Sequence, residues 1–514
     1  MAENNTNTNS AEEIILNNNK AGDPTNPVDE SNVPLELKIL EINLFFDGTW
    51  NNMSNNNAYR DAADADKARE DKKTWGILPS TSFARYETGV EWMFKAFDKS
   101  DSKKIHAYVE GTGTKNGEGD NPYGAATGWG DTGLVAKMDE GFRVINDKIK
   151  ISGFSAKNVN FLQINVYGFS RGAATARMFV NVALEKPERF EGLGLKRTQI
   201  QIEFIGIFDT VVSMGLKHYN DAIKYKQHLP RVATRSVHIT AQDEARTTFS
   251  LYNIGTAIAR GDGFEVAIPG CHTDVGGGLS AKKELAEGSE HEYREVGRDE
   301  ARELYSHTTQ LDEYGVPTGQ PSSDQPVDFS PNTRMNVLDV QARAAKAKGQ
   351  VNAEALYRYL IDKGWYLPEQ LEWVDTTARM GRSTGIKTRK LKGARYQLKL
   401  DYPKIPTNMM VEFTKKYHVY QFENRKLAVF EVPTEIKDVY DDLLKQSMDQ
   451  DKEGSGASIK ANITNPERSK LIYNQYLHWS ASGGLVHYGQ QRPDGSLERT
   501  INSASIGGNN GTLA

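Results

Sequence analysis

Short apolar runs recur through the first half of the chain, and each ends in a polar or glycine-rich loop. They occupy residues 37–46, 107–110, 161–166, 200–208 and 264–268. Runs of this length that are bounded by turn residues predict buried strands. Between the second and third runs, apolar residues recur every three or four positions, which predicts an amphipathic helix. They are Val135, Met138, Phe142, Ile145 and Ile149.

A second helix is predicted over residues 170–184, directly after the third strand. Strands that alternate with helices predict an α/β fold with a mainly parallel sheet. Ligand sites in such folds gather at the carboxyl ends of the strands. Polar residues occupy four of these ends: Asp47, Ser170, Asp209 and His272.

The character of the sequence changes twice, and we divide the chain there. Residues 1–34 are rich in Asn, Thr, Ser, Glu and Pro, which predicts a disordered tail. Residues 35–285 carry the strand and helix pattern and are predicted to form one domain. Residues 286–514 are more polar, and we expect a mostly helical accessory region there, with helices over residues 340–360 and 435–448.

Composition excludes several classes of protein. The formal net charge is −5, so no global basic signature points to nucleic acid as a partner. Cys271 is the single cysteine, so no intramolecular disulfide can form. No run of about 18 apolar residues occurs, so the sequence predicts no membrane-spanning helix. The first residues lack a basic segment followed by an apolar one, so we expect synthesis in the cytoplasm without a signal peptide.

The sequence GFSRG at residues 168–172 follows a predicted strand and opens a predicted helix. A serine in this setting is typical of a nucleophile elbow, a sharp turn that lifts the hydroxyl of Ser170 out of the sheet. A serine hydroxyl is a weak nucleophile near pH 7. It needs a base within hydrogen-bonding reach and an acid that orients the base.

His272 is the best candidate for the base, because it follows a strand within the glycine-rich sequence PGCHTDVGGG. The alternatives are His238, which lies inside an apolar run, and His478. On residue type alone, a loop histidine that only packs or caps would be the commoner case.

Asp209 is the best candidate for the acid, because it ends the most hydrophobic predicted strand. A carboxylate buried there needs a partner. The alternatives are Asp243 and Asp274. Asp274 lies only two residues after His272 and suits a turn better.

Two backbone N–H groups are expected to form an oxyanion hole. One is that of Arg171, directly after the serine, and the other is that of Gly48, after the first strand. The sequence shows neither a phosphate-binding loop nor the metal-binding sequence HExxH, so we expect no cofactor and no metal.

Five ordered sequence blocks resemble one family of α/β-hydrolases, the first class of type VI secretion lipase effectors. They are FFDGT at 45–49, EGTGT at 110–114, YGFSRGA at 167–173, GIFDTV at 206–211 and PGCHTDVGGG at 269–278. The segment YLHWS at 476–480, with Asp494, Gly495 and Arg499 downstream, resembles the family more weakly.

The resemblance implies an α/β-hydrolase catalytic domain over residues 35–285 and a triad of Ser170, Asp209 and His272. It further implies an antibacterial toxin that hydrolyses acyl esters of membrane phospholipids. Its expected partners are a secretion spike protein and a cognate immunity protein. We therefore expect secretion by a type VI system and action at the periplasm or membrane of the target cell.

A phospholipase also needs a surface that meets the bilayer. The densest basic run lies at residues 387–399 and follows several aromatic residues. We expect this part of a lid or membrane-contacting region to lie near the mouth of the site. The candidate contacts are Arg389, Lys390, Lys392 and Trp373.

Two other functions remain open on the sequence. The chain could be a binding protein that keeps the hydrolase fold without the chemistry. It could also be an esterase or thioesterase for a soluble intracellular substrate. The intact order of serine, aspartate and histidine favours the phospholipase.

Overall fold

A computed structural model describes most of the residues between 38 and 503. The described ranges are 38–61, 73–74, 78–79, 81–212, 225–279, 282–285, 293–296, 298–311, 353–380, 384–417, 419, 422–481, 492 and 494–503. The predicted tail over residues 1–34 lies outside them, as does most of the helix predicted over 340–360.

Strands are spread over the whole described chain. In chain order they are β1 (Ile39–Phe46), β2 (Lys73–Thr74), β3 (Leu78–Pro79), β4 (Lys104–Val109), β5 (Phe161–Phe169), β6 (Ile200–Phe208), β7 (Arg235–Ala241), β8 (Leu251–Tyr252), β9 (Gly263–Ile268), β10 (Lys282–Leu285), β11 (Tyr293–Val296), β12 (Arg298–Leu311), β13 (Leu371–Met380), β14 (Thr384–Leu398), β15 (Ala457–Lys460) and β16 (Ile501–Asn502).

Helices occur between the strands, and five of those in the described residues follow residue 352. They are α1 (Met53–Asp61), α2 (Gly89–Ala96), α3 (Pro122–Thr127), α4 (Leu134–Ile151), α5 (Arg171–Glu185), α6 (Gly255–Arg260), α7 (His272–Gly276), α8 (Ala353–Lys363), α9 (Lys404–Lys416), α10 (Asn424–Leu427), α11 (Lys437–Gln450) and α12 (Pro466–Gln475). Short 3₁₀ turns lie at Thr81–Phe83, Pro187–Arg189, Arg197–Gln199, Thr247–Phe249, Pro368–Gln370, Ala428–Phe430 and Thr434–Ile436.

A seven-stranded sheet forms the centre of the fold, in the order β15, β9, β7, β6, β5, β1, β4. Every neighbouring pair in it is parallel. Helices α4 and α5 pack on one face, and α2 and α9 pack on the other. A parallel sheet covered on both faces needs apolar residues on both sides of each strand, which explains the continuous apolar runs in the sequence. The predicted α/β fold is confirmed.

The ends of neighbouring strands meet at one edge of this sheet. Phe169 at the end of β5 is in register with Phe208 at the end of β6, which in turn is in register with Ile239 of β7. The next residues continue this pairing. The amide of Ser170 donates to the carbonyl of Phe208 at 3.0 Å, and that of Asp209 donates to Ile239 at 2.8 Å. Residues far apart in the chain are thereby fixed side by side.

The expectation of a mostly helical region after residue 285 is wrong for part of the chain. Strands β12, β14 and β13 form a three-stranded antiparallel sheet in that order. Charged residues occupy many positions of β12 and β14, so no alternation of apolar and polar residues marks them as strands. The predicted helix over 435–448 corresponds to α11.

The C-terminal third also contributes to the central sheet, because β15 pairs with β9 at its edge. A buried ion pair joins the same two parts of the chain: Arg235 of β7 donates to Asp451 at 2.7 Å, and both side chains are almost fully buried. Lys416 and Tyr417 also donate to Asp451. In the described residues, no helix is long and apolar enough to cross a membrane.

We predict that Asp451→Ala destabilises the fold severely, because it leaves the buried guanidinium of Arg235 without its counter-charge. The loss of a partner in a buried pair costs about 3–5 kcal/mol in the free energy of unfolding. Urea denaturation followed by circular dichroism measures it. The matched control is Asp449→Ala two residues earlier, which removes only an exposed pair with Lys445. Equal midpoints for the two variants would contradict the prediction.

Candidate active site

Ser170 lies on a strained turn between β5 and α5. Its backbone has φ 58° and ψ −124°, a region that residues other than glycine rarely adopt. The hydrogen bond from the Ser170 amide to the carbonyl of Phe208 holds the turn in place. Only 4% of the serine surface is exposed. This is the geometry of a nucleophile elbow, which presents the serine hydroxyl at the carboxyl edge of the sheet.

The two glycines of GFSRG are required by close backbone contacts. A Cβ atom on Gly168 would lie 2.7 Å from the Cα atom of Ala173, inside the first turn of α5. A Cβ atom on Gly172 would lie 2.3 Å from the carbonyl oxygen of Phe46, at the end of β1. Both distances are too short for a side chain, so the turn can only be this tight with glycine on both sides of the serine.

His272 begins the short helix α7 and faces the serine. Its Nε2 atom lies 2.8 Å from Oγ of Ser170, and its Nδ1 atom lies 2.5 Å from Oδ2 of Asp209. The carboxylate fixes the proton on Nδ1, which leaves the lone pair of Nε2 directed at the hydroxyl. The rings of Phe169 and Phe249 pack against the imidazole, with centroids at 4.7 and 5.0 Å.

Asp209 is fully buried and accepts hydrogen bonds on both oxygens. Oδ1 accepts from the amide of Ala241 at 2.9 Å and from Nη1 of Arg499 at 2.6 Å. Oδ2 accepts from Nη2 of Arg499 at 2.8 Å, besides His272. The aspartate is therefore held by a two-pronged ion pair on one side and by the imidazole on the other.

These contacts set the charge state of the site. Burial on its own would raise the pKa of Asp209, but Arg499 and His272 outweigh it and hold that pKa well below its usual range. Burial lowers the pKa of His272, although the hydrogen bond to Asp209 opposes the shift. Near neutral pH the carboxylate is therefore ionised while the imidazole is neutral and able to accept a proton.

Arg499 belongs to this site, although no role was predicted for it from the sequence. It precedes β16, which pairs in parallel with β8 near the 3₁₀ turn Thr247–Phe249. Its Nε atom donates to the carbonyl of Phe249 at 2.8 Å. The weak resemblance of the C-terminal segment was the only signal that pointed to it, since nothing in its local sequence distinguishes it from a surface arginine.

The alternative candidates have structural partners instead. Nε2 of His238 accepts from the amide of Thr210 at 3.1 Å, and Nδ1 lies 2.9 Å from Oε2 of Glu265. His478 pairs with Asp274 at 2.8 Å. Asp243 accepts from the amide of Gly270 and the hydroxyl of Tyr473. None of these side chains bonds to Ser170 in the described structure.

The two amides predicted for the oxyanion hole differ in their availability. The N–H of Arg171 opens α5 and has no acceptor among the described residues. The N–H of Gly48 donates to Oδ1 of Asp47 at 2.7 Å, so it is occupied in this conformation. Burial raises the pKa of Asp47 to about 7, and the neighbouring Glu91 adds to the rise. The role of Gly48 stays a prediction.

A cavity of about 280 Å³ opens at Ser170 and His272. Its other described lining residues come from several loops, strand ends and helices, and three of these residues are arginines. They are Thr49, Trp50, Asn51, Arg85, Ala125, Phe169, Arg171, Val211, Arg246, Thr248, Phe249, Thr273, Gly277 and Gly278. No Asp or Glu is among them.

The predicted membrane contacts are not among the residues that line this cavity. Trp373 stacks on Tyr357 with ring centroids 6.2 Å apart, and Lys392 is exposed on β14. Arg389 and Lys390 lie on the same strand, but their side chains lie outside the described structure. Arg395, from the same basic run, is buried and donates to the carbonyl of Tyr473. The run is therefore not one continuous exposed face, and its contact with a membrane stays a prediction.

No cluster suited to a metal ion occurs in the described part of the chain, taking groups of three or more His, Cys, Asp or Glu side chains.

Residues 183–294 match the family model described as "T6SS, Phospholipase effector Tle1-like, catalytic domain". This segment contains Asp209 and His272. The chain also aligns with the solved structure of the Tle1 effector bound to the VgrG spike from the Type 6 secretion system. That alignment has a TM-score of 0.55 at 18% identity and covers 94% of this chain and 99% of that one. The resemblance to type VI lipase effectors is confirmed.

A second structure, an uncharacterized protein from Pseudomonas aeruginosa, aligns at 21% identity over 47% of this chain and 42% of its own, with a TM-score of 0.29. A likeness at that level carries no weight for the fold. The curated proteins give no match at the sequence level. The fold therefore follows the Tle1 effector over nearly the full length, while the sequence match is confined to one segment.

We predict that Arg499→Gln shifts the acid limb of the pH profile of kcat/KM to higher pH. Without the guanidinium, the charge of Asp209 is less compensated and favours protonated His272, so the base is lost at a higher pH as the solution is acidified. Activity at neutral pH should fall about tenfold or more, since a hydrogen bond to a charged group is worth about 1.5–3 kcal/mol. Hydrolysis of a soluble ester across pH 4–9 measures both effects.

Arg499→Lys should restore part of the loss, because it returns the charge without the two-pronged geometry. The matched control is Arg492→Gln in the same segment, which removes an exposed pair with Glu498. An Arg499→Gln profile that keeps its acid limb while losing activity would show that the arginine only supports the fold.

Proposed function

We propose that this chain is a serine esterase that hydrolyses acyl esters of membrane phospholipids. The observation that carries the proposal is the continuous chain of bonds from Ser170 through His272 to Asp209, at 2.8 and 2.5 Å. Three groups from distant parts of the sequence meet with the geometry that serine hydrolysis requires. The likeness to Tle1-like phospholipase effectors favours a phospholipid as the substrate.

The first half of the reaction transfers the acyl group to the enzyme. Nε2 of His272 takes the proton of the Ser170 hydroxyl as Oγ attacks the ester carbonyl. The imidazolium that forms is stabilised by Asp209. When the tetrahedral intermediate collapses, the bond to the alcohol oxygen breaks and His272 returns the proton to that oxygen. The products are a lysophospholipid and an acyl-serine.

The second half of the reaction releases the fatty acid. His272 takes a proton from a water molecule, whose oxygen attacks the acyl-serine, and then returns the proton to Oγ. In both halves negative charge develops on the carbonyl oxygen. In this mechanism the N–H of Arg171 at the start of α5 stabilises this charge, together with the dipole of the fifteen-residue helix. Gly48 is the second donor if its amide leaves Asp47.

The likeness to an effector that binds a VgrG spike supports delivery by a type VI secretion system. In this proposal a spike protein carries the chain into a rival cell, where it acts on phospholipids at the periplasm or membrane. An immunity protein in the producing cell blocks the enzyme. Release of fatty acid from the bilayer would then account for toxicity.

We predict that Ser170→Ala abolishes hydrolysis of a purified phospholipid and labelling by a fluorophosphonate, because only an activated serine reacts with this probe. Alanine at 170 removes the hydroxyl but keeps the buried position, so the far-ultraviolet circular dichroism should be unchanged. Fatty acid release and in-gel fluorescence are the two readouts. Ser152→Ala, at the C-terminal end of α4, is the control and should keep both activities.

The outcomes distinguish the candidate functions. Labelling of the wild type without hydrolysis of any acyl ester would contradict the phospholipase and leave an unassigned serine hydrolase. Absence of labelling would favour a binding protein on a hydrolase fold. Turnover of short soluble esters with none of phospholipid would favour the esterase or thioesterase.

A further inference from the structure

Three arginines line the cavity at Ser170. They are Arg85, Arg171 and Arg246, and none of its described lining residues is an Asp or Glu. Three arginines without a carboxylate among the described lining residues favour an anionic ligand over a neutral one. The catalytic triad does not require this charge, since serine hydrolysis of a neutral ester needs only the base, the acid and the oxyanion donors.

Two of the three arginines are held by protein groups. Arg246 forms a two-pronged ion pair with Glu244 at 2.8 and 2.9 Å, and its guanidinium lies 3.4 Å above the ring of Phe249. Arg85 donates from Nη1 to the carbonyl of Gly278 at 2.7 Å. The charge of Arg246 is thus balanced within the protein by Glu244.

Arg171 differs from both in its bonding. Nε donates to Oγ1 of Thr49 at 2.6 Å, and that hydroxyl also bonds to Oγ1 of Thr112 at 2.9 Å. No carboxylate among the described residues pairs with it. Burial lowers the pKa of Arg171 to about 10, so the group stays cationic at neutral pH. The threonines fix one edge of the guanidinium and leave Nη1 and Nη2 without a protein acceptor in the described structure.

We propose that the two Nη groups of Arg171 bind the phosphodiester of the substrate while its acyl ester lies against Ser170, an inference that rests on the proposed function. Arginine presents two parallel N–H donors that match the geometry of phosphate oxygens. Residues 170 and 171 are consecutive and line the same cavity, so the ester and the phosphate of one lipid can occupy it together. The N-terminal end of α5 adds a favourable dipole for the anion.

The size of the cavity agrees with this arrangement. At about 280 Å³ it is close to the lower end of ligand sites, roughly 300 Å³. It therefore suits the glycerol, ester and phosphate part of a lipid, with the remaining lengths of the acyl chains outside it. The substrate class that follows is a glycerophospholipid rather than a neutral glyceride.

The test compares two soluble substrates that differ only in the phosphate-bearing headgroup: dihexanoyl phosphatidylglycerol and dihexanoylglycerol, both below the concentration at which they form micelles. The measured quantity is the ratio of their kcat/KM values. We expect the wild type to favour the phospholipid, and Arg171→Gln to lower this ratio about tenfold or more. A common loss on both substrates cancels in the ratio, so damage to the triad does not imitate the effect.

Three further variants sharpen the comparison. Arg171→Lys keeps the charge but not the paired donors, so its ratio should lie between those of the wild type and Arg171→Gln. Thr49→Val removes the bond that fixes Nε and should lower the ratio partly. Arg143→Gln makes the same change in net charge on an exposed face of α4 and should leave the ratio unchanged. If Arg171→Gln does not fold, the ratio measured for Arg171→Lys tests the proposal instead, and a ratio equal to that of the wild type would contradict it.

A phosphate group could reach Arg171 as part of a lipid headgroup or as free inorganic phosphate. Inhibition of dihexanoylglycerol hydrolysis distinguishes these two ligands. Glycerophosphoglycerol, the deacylated headgroup, should inhibit the wild type more strongly than inorganic phosphate does, and Arg171→Gln should relieve that inhibition. Stronger inhibition by inorganic phosphate would overturn the assignment to a lipid headgroup.

The remaining outcomes are equally decisive. An equal fall on both substrates in Arg171→Gln would overturn the proposal and reduce Arg171 to a support for the loop at Thr49. A wild type that prefers the neutral substrate would overturn it while the serine esterase stands. A wild type that hydrolyses neither substrate would contradict the proposed function itself.

Discussion

The whole site depends on keeping one buried carboxylate ionised. Asp209 has no contact with solvent, and burial alone would favour its protonated form, which could not hold His272 in the required orientation. The guanidinium of Arg499 reverses this balance by binding both carboxylate oxygens. With the charge secured, the imidazole carries its proton on Nδ1 and leaves Nε2 for Ser170. The hydroxyl of Ser170 is thereby linked to Arg499 through three successive contacts.

The sheet provides the rigid frame for this sequence of contacts. Ser170 and Asp209 follow neighbouring strands whose registry is fixed by backbone bonds, so their separation does not depend on side-chain packing. Both residues have positive φ values, 58° and 38°. The backbone hydrogen bonds of their amides to Phe208 and Ile239 maintain these strained conformations. The third member, His272, lies on a short helix whose start is fixed by Glu244 and Asp274. Glu244 also binds Arg246, so one carboxylate helps to position both His272 and an arginine that lines the cavity.

The sequence alone predicted the strand ends and therefore the places of Ser170, Asp209 and His272, because apolar runs and glycine-rich turns are local signals. It could not predict Arg499, whose partner lies 290 positions away and whose neighbours carry no pattern. Gly48 illustrates another limit. Its amide donates to the side chain of Asp47, and this bond depends on the rotamer of Asp47, which the residue types do not determine. The antiparallel strands β12 and β14 escaped prediction because charged side chains hide the alternation that marks a half-buried strand.

The position of Arg499 has a consequence for biosynthesis. Translation proceeds from the N-terminus, and domains fold as the chain emerges. Ser170, Asp209 and His272 are all synthesised more than two hundred residues before the counter-ion of the aspartate. In a nascent chain, Asp209 therefore lacks this counter-ion until the segment that contains Arg499 has left the ribosome and β16 has paired with β8. For the phospholipase proposed above, this delay would keep the chain inactive while it is still being synthesised.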